Sequence, residues 1–147
     1  MAEVRHRVGI RGSVADIYAA LVDPSGLVGW WATRASGTPE IGKTLALTFG
    51  ELVTLTFAIR DLQTNTLVRL ECSSGPAPWF GSQLQFALND ADDQVFVTLK
   101  HSNSGSDDDS FLYFSTKWPM YLLSLRDFIE SGSGRPYPND IKIHYGD

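Results

Sequence analysis

The groups in this sequence that could do chemistry are three histidines, one cysteine, and a few charged residues at strand-like spacing. His101 follows the alternating apolar residues Val95, Val97 and Leu99, just before a loop into a helical segment, where an imidazole could meet a ligand or move a proton. The simpler reading of His101 is a hydrogen-bonded structural histidine, and His6 and His144 offer still less. No two histidines fall at ligand spacing with a carboxylate, and Cys72 has no second thiol to join it, so neither a metal site nor a disulfide is expected. Arg60, Arg69 and Glu71 lie on neighbouring expected strands, where they would form a solvated ion pair or the polar end of a cavity. The acidic sets Asp90, Asp92, Asp93 and Asp107, Asp108, Asp109 lack the glycine and closing glutamate of a calcium loop and read as turn and N-cap residues. No GxSxG, phosphate-binding loop or dinucleotide fingerprint occurs, and nothing marks a nucleophile beside an oriented base.

The elements that must position these groups follow from periodicity. Val4 to Ile10 alternate, with His6, Val8 and Ile10 on one side and Arg5 and Arg7 on the other, which describes a half-buried strand. Ser13 then opens a short helix through Val14, Ile17, Tyr18 and Leu21, with Asp16 completing a capping box. Asp23 and Pro24 are cap and first residue of a second helix that carries Leu27, Trp30 and Trp31. From Leu45 the period is two. Leu45, Leu47 and Phe49, then Val53, Leu55, Phe57 and Ile59, then Val68, Leu70 and Cys72 read as successive strands, followed by two around Leu84, Phe86, Leu88 and Val95, Val97, Leu99. The links are short, so the strands form an antiparallel meander. Between Asp109 and Ser131, Leu112, Trp118, Leu122, Leu125 and Ile129 recur at helical spacing, with a kink or restart expected at Pro119. The stretch SGSGRPYPND cannot continue that helix, so residues 132–147 are expected as an extended surface tail to a domain of residues 1–131.

A chain of 147 residues with 43% hydrophobic and 20% charged residues has the composition of one globular domain with one core. The net charge of −5 and the scattered arginines exclude the basic footprint of a nucleic-acid binder. No apolar run approaches a membrane span and no apolar stretch follows the N-terminal charges, so no membrane association is expected, and the expected compartment is the cytoplasm.

The order of strand, two short helices, meander and long C-terminal helix resembles the START-like (SRPBCC) superfamily. The run DPSGLVGWW from Asp23 to Trp31, Gly42 before the second strand, and KWPMYLLSLRDFIE from Lys117 to Glu130 resemble the subfamily of the C-terminal domain of the heat-shock-protein-90 ATPase activator, over about residues 3 to 131. These motifs are packing signatures rather than reaction signatures. The resemblance implies an α+β helix-grip fold: a curved antiparallel sheet of about six strands, two short helices, and one long C-terminal helix closing a cavity. It also implies a hydrophobic small molecule as ligand, and the aromatic content of the chain extends this to an aromatic one; no cofactor is expected. The residues expected at that ligand are Trp31, Phe57, Trp79, Phe86, His101, Trp118, Tyr121 and Leu122. Trp79 follows Gly75, Pro76 and Pro78 and would form a lip, while Trp30, Phe57, Phe86 and Trp118 are large enough to fill the space instead.

Two alternatives accompany that reading. One is an enzyme of the polyketide cyclase or dehydratase kind, with Glu71 or His101 moving a proton and Arg69 and Tyr121 nearby. The other is a protein-binding stress-response module. Because Val4 already begins the first strand, the N-terminal domain of the co-chaperone is not expected, and chaperone activation with it. The Pro-rich segment from Arg135 to Asp140 has the composition to lie across a second subunit, which makes a homodimer an expected assembly.

Overall fold

Strands form where every second residue is apolar, because a pleated strand turns successive side chains to opposite faces. The computed structural model describes residues 2–103 and 107–144 of the chain. It places strands β1 (Ala2–Ile10), β3 (Thr44–Phe49), β4 (Val53–Gln63), β5 (Leu67–Ser74), β6 (Gln83–Ala91) and β7 (Gln94–Asn103) on the alternating segments. A further strand, β2 (Arg34–Gly37), pairs with β3 and makes the sheet seven-stranded rather than six. Its sequence RASG carries no apolar alternation, so no period announces it; it is a short edge strand held by its neighbour's backbone.

The sheet order is β1-β7-β6-β5-β4-β3-β2, antiparallel throughout, so β2 to β7 form a meander and β1 returns beside β7. The β4–β5 pairing slips between Thr56 and Phe57 and again between Ile59 and Asp61. Such irregularities bend and twist a sheet.

Helices α1 (Val14–Val22) and α2 (Pro24–Trp30) follow β1, and α3 (Asp108–Ser131) ends the fold. Ser13 caps α1 by accepting the Asp16 N–H at 3.0 Å. Asp23 holds the cap position of α2 without a side-chain cap bond; its backbone N–H instead closes α1 onto Ala19 O. Asp107 caps α3, its carboxylate accepting the Ser110 N–H at 2.9 Å.

Pro119 lies inside α3, which continues through it without a restart. Proline has no amide hydrogen for the carbonyl four residues back, that of Ser115. That carbonyl is met instead by His6 Nε2 from β1 at 2.9 Å. Leu112, expected on the core stripe of α3, is 47% exposed, and the inward residues are Phe114, Lys117, Trp118, Tyr121, Leu122 and Leu125.

The segment after α3, expected as an extended surface tail, has neither helix nor strand but is docked on the domain. Ser124 Oγ donates to Trp30 O and accepts the Arg135 N–H, each at 2.7 Å, and the Tyr137 N–H reaches Trp31 O at 3.1 Å. A side chain at Gly134 would meet Gly29 O at 2.5 Å, so only glycine lets the chain pass this close.

Candidate functional site

The centre of the grip is filled with rings. Trp30 and Trp31 stack at 5.2 Å, Trp118 lies 5.4 Å from Trp31, and Phe86 meets both Trp30 and Trp118 edge-on. Trp30, Phe57 and Trp118 are completely buried, and Phe86 and Leu122 nearly so. The space around Trp118, where the sequence led us to expect a cavity, is therefore occupied by packed side chains.

A cavity of about 550 Å³, partly open to solvent, lies beside this cluster, at the N-terminal half of α3. The β3–β4 hairpin contributes Phe49, Leu52, Val53 and Leu55, the loop after β5 contributes Pro76 to Trp79, and the docked tail contributes Tyr137 and Asp140. The α3 wall is Ser110, Tyr113, Phe114, Lys117 and Tyr121, with Asp107 and Asp109 at its outer end. Its size and mostly apolar lining are those of a small-molecule site. Of the eight expected ligand-binding residues, Trp79 and Tyr121 line it. Trp31 and Phe57 stand behind Trp79 at ring separations of 6.3 and 6.2 Å, and Phe86, Trp118 and Leu122 lie deeper.

His101 is fully buried between Trp79, at 5.2 Å, and Phe114, at 4.4 Å between ring centres. Burial pushes its pKa down to about 3, and its Nδ1 accepts the Trp118 indole N–H at 2.9 Å. The ring is neutral near pH 7 and its basic nitrogen is engaged, a poor arrangement for proton transfer. Burial raises the Tyr121 hydroxyl well above its ordinary pKa, with Tyr113 adding to the rise and Trp31 opposing it. Glu71 and Arg69 lie on the outer face of the sheet: Glu71 accepts from Arg60 at 3.1 Å, and Arg69 sits 4.0 Å from Asp61. The solvated pairing foreseen for these charges is what forms, and neither Glu71 nor Arg69 lines the cavity. Among the described residues, no group of three potential metal ligands comes together.

Two charged residues of the cavity escaped the sequence reading as site residues. Lys117 is buried and pairs with Asp140 at 2.8 Å, and it also donates to Ile141 O at 2.8 Å. Lys142 holds the other oxygen of the same carboxylate at 2.7 Å. Burial would raise the Asp140 pKa, but the hydrogen bonds and charges of the two lysines outweigh it and leave the carboxyl below its ordinary value. Lys117 could have been found by helical phase, since Phe114 and Tyr121 stand three before and four after it. Asp140 has no periodic neighbours to signal it.

No protein-family model matches the sequence, and no curated protein does. Solved structures do. The solution structure of the Aha1 dimer from Colwellia psychrerythraea is 34% identical, with a TM-score of 0.82, and the match covers 91% of this chain and 100% of that one. The chain belongs to the Aha1 family. Its START-like helix-grip fold is shared more widely. The Staphylococcus saprophyticus protein SSP2350 is 20% identical with a TM-score of 0.78, covering 92% of this chain and 97% of its own. DynU16, encoded in the dynemicin biosynthetic locus, is 17% identical with a TM-score of 0.80, covering 90% of this chain and 48% of its own. These two likenesses establish the fold alone. No helix of this Aha1-family domain, among the described residues, is long and apolar enough to cross a membrane.

Proposed function

We propose that this Aha1-family domain binds a hydrophobic or aromatic small molecule in the cavity between the β3–β4 hairpin, the Trp79 loop and the first half of α3. The observation that carries the reading is the cavity itself: about 550 Å³, mostly apolar, with Phe49, Leu55, Trp79, Phe114 and Tyr121 in its wall. Burial of an apolar ligand against such a wall is favourable in proportion to the area removed from water. Two charged residues of its wall, Lys117 and Asp140, pair with each other, and Lys142 holds the second carboxylate oxygen. Titration with 1-anilinonaphthalene-8-sulfonate tests the reading. Saturable emission enhancement is expected, weakened about ten-fold by Val53→Trp, which fills the cavity from the half-buried hairpin wall. A linear, non-saturating response, or one indifferent to Val53→Trp, would count against it.

The expected assembly is a homodimer, since the 34%-identical Colwellia relative was solved as a dimer. Sedimentation velocity at micromolar concentration checks this, and a monomer there would refute it. A reducing, cytoplasmic setting suits the chain's single, buried Cys72.

A further inference from the structure

The cavity owes part of its wall to the segment that follows α3. Tyr137 and Asp140 line it, and so does Lys117 of α3, which is nonetheless completely buried. The same segment covers that lysine, whose Nζ reaches both Asp140 and Ile141 O at 2.8 Å.

The segment is held in two different ways. Its start is tied through the backbone: the Arg135 N–H donates to Ser124 Oγ at 2.7 Å, the Tyr137 N–H to Trp31 O at 3.1 Å, and Tyr137 O accepts from the Thr33 hydroxyl at 2.9 Å. The Tyr137 ring also meets Phe49 edge-on at 6.1 Å. Beyond Tyr137 the hold passes to charged side chains. Lys117 and Lys142 take the two oxygens of the Asp140 carboxylate at 2.8 and 2.7 Å, and Lys142 Nζ lies 4.3 Å from the centre of the Tyr137 ring. Pro138, Asn139 and Ile141 are exposed, so this stretch buries little apolar area by staying in place.

A buried ion pair is a weak fastener in net terms, because its attraction is largely offset by the hydration that its ions give up. Opening returns that hydration, since water reaches Lys117 and Asp140 once the stretch swings out. A segment fixed at one end and held at the other by such a pair is suited to a minor open state, populated at roughly 0.1–10%.

We propose that residues 138–142 form a strap that swings about Tyr137 and gates the cavity, with Lys117, Asp140 and Lys142 as its latch. This rests on the binding reading above and adds the step by which that cavity fills and empties. A ligand enters and leaves through the same opening, so the latch sets both rates and leaves the affinity nearly unchanged. A residue that only touched the bound ligand would act differently, changing the affinity through the rate of release.

The test is stopped-flow mixing with Nile red, an uncharged apolar dye on which the charge of the latch does not act directly. In the wild type the observed rate should level off with rising dye concentration, at the rate of opening. Asp140→Asn, which removes the charge of the latch and keeps its shape, should raise that plateau and the dissociation rate about ten-fold each, with the dissociation constant changed by less than about two-fold. Lys142→Ala, on the more exposed side of the latch, should raise both rates about two-fold and carries the test if Asp140→Asn does not fold. Rates that rise linearly without a plateau, a plateau that neither variant moves, or a changed dissociation constant at an unchanged association rate would each overturn this inference and leave the binding reading standing. No saturable uptake of Nile red by the wild type would overturn both.

Discussion

Replacing His6 should destabilise the domain through a carbonyl on another element, and chiefly while Pro119 is present. Pro119 leaves Ser115 O without its helical donor, and His6 Nε2 supplies one from β1 at 2.9 Å. A neutral hydrogen bond contributes roughly 0.5–1.5 kcal/mol, and a carbonyl left buried without a donor costs about 1–3 kcal/mol. His6 is half-buried, so water can partly replace it, and His6→Phe should cost about 1.5 kcal/mol. Pro119→Ala restores a backbone N–H to Ser115 O. In that background His6→Phe should cost only about 0.5 kcal/mol, a coupling of about 1 kcal/mol between residues 6 and 119.

Urea unfolding followed by tryptophan emission measures all four corners of this cycle, because the four tryptophans all belong to or abut the core. The histidine ring volume is largely retained in phenylalanine, and packing changes common to both backgrounds cancel in the coupling term. A coupling below about 0.3 kcal/mol, within the additivity of unconnected sites, would refute the link between proline and histidine.

His101 should make the domain acid-sensitive. Its folded pKa is about 3 against an ordinary value of 6.5, so below pH 6.5 the unfolded chain takes up a proton that the native ring refuses. Stability is therefore lost as pH falls from 6.5 towards 3, at up to about 1.4 kcal/mol per pH unit. Urea midpoints measured from neutral pH down to about pH 5 should fall in the wild type and flatten in His101→Gln, and an equally steep fall in the variant would refute the assignment. Asp140 adds its own loss only near and below its ordinary value of 3.8, outside that window. Lys117→Met should loosen the docked tail, because it strands a carboxylate whose side chain is 8% exposed with Lys142 as its remaining partner. Breaking a fully buried pair costs about 3–5 kcal/mol, and with Lys142 still in place about 2 kcal/mol is expected. Faster hydrogen exchange at the Tyr137 amide, which bonds Trp31 O, would report the release, and unchanged protection would refute it.

Strand parity is the most informative property of the sequence, and it reaches further than fold class. Val95, Val97 and Leu99 face inward on β7, so His101, in the same phase, has to be inside, and it is completely buried. Val68, Leu70 and Cys72 face inward on β5, so Arg69 and Glu71 have to point outward, where they pair with other surface charges. The alternation that draws β5 is thus by itself an argument against Glu71 and Arg69 as cavity groups. Helical phase likewise puts Lys117 inside, between Phe114 and Tyr121 on one stripe. What periodicity does not carry is anything settled by contacts distant in sequence. The donor that lets α3 run through Pro119 comes from His6, 109 residues away from the carbonyl it serves, and β2 exists because β3 offers it a ladder. Where the open space lies is also such a property. Every ring expected at the ligand reaches the interior, but side-chain volume decides that Trp31 and Trp118 close the centre and that Trp79, half-buried on its loop, stands at the boundary between packed core and cavity. For Trp79 the signal is the composition of its loop, Gly75, Pro76 and Pro78, rather than any period.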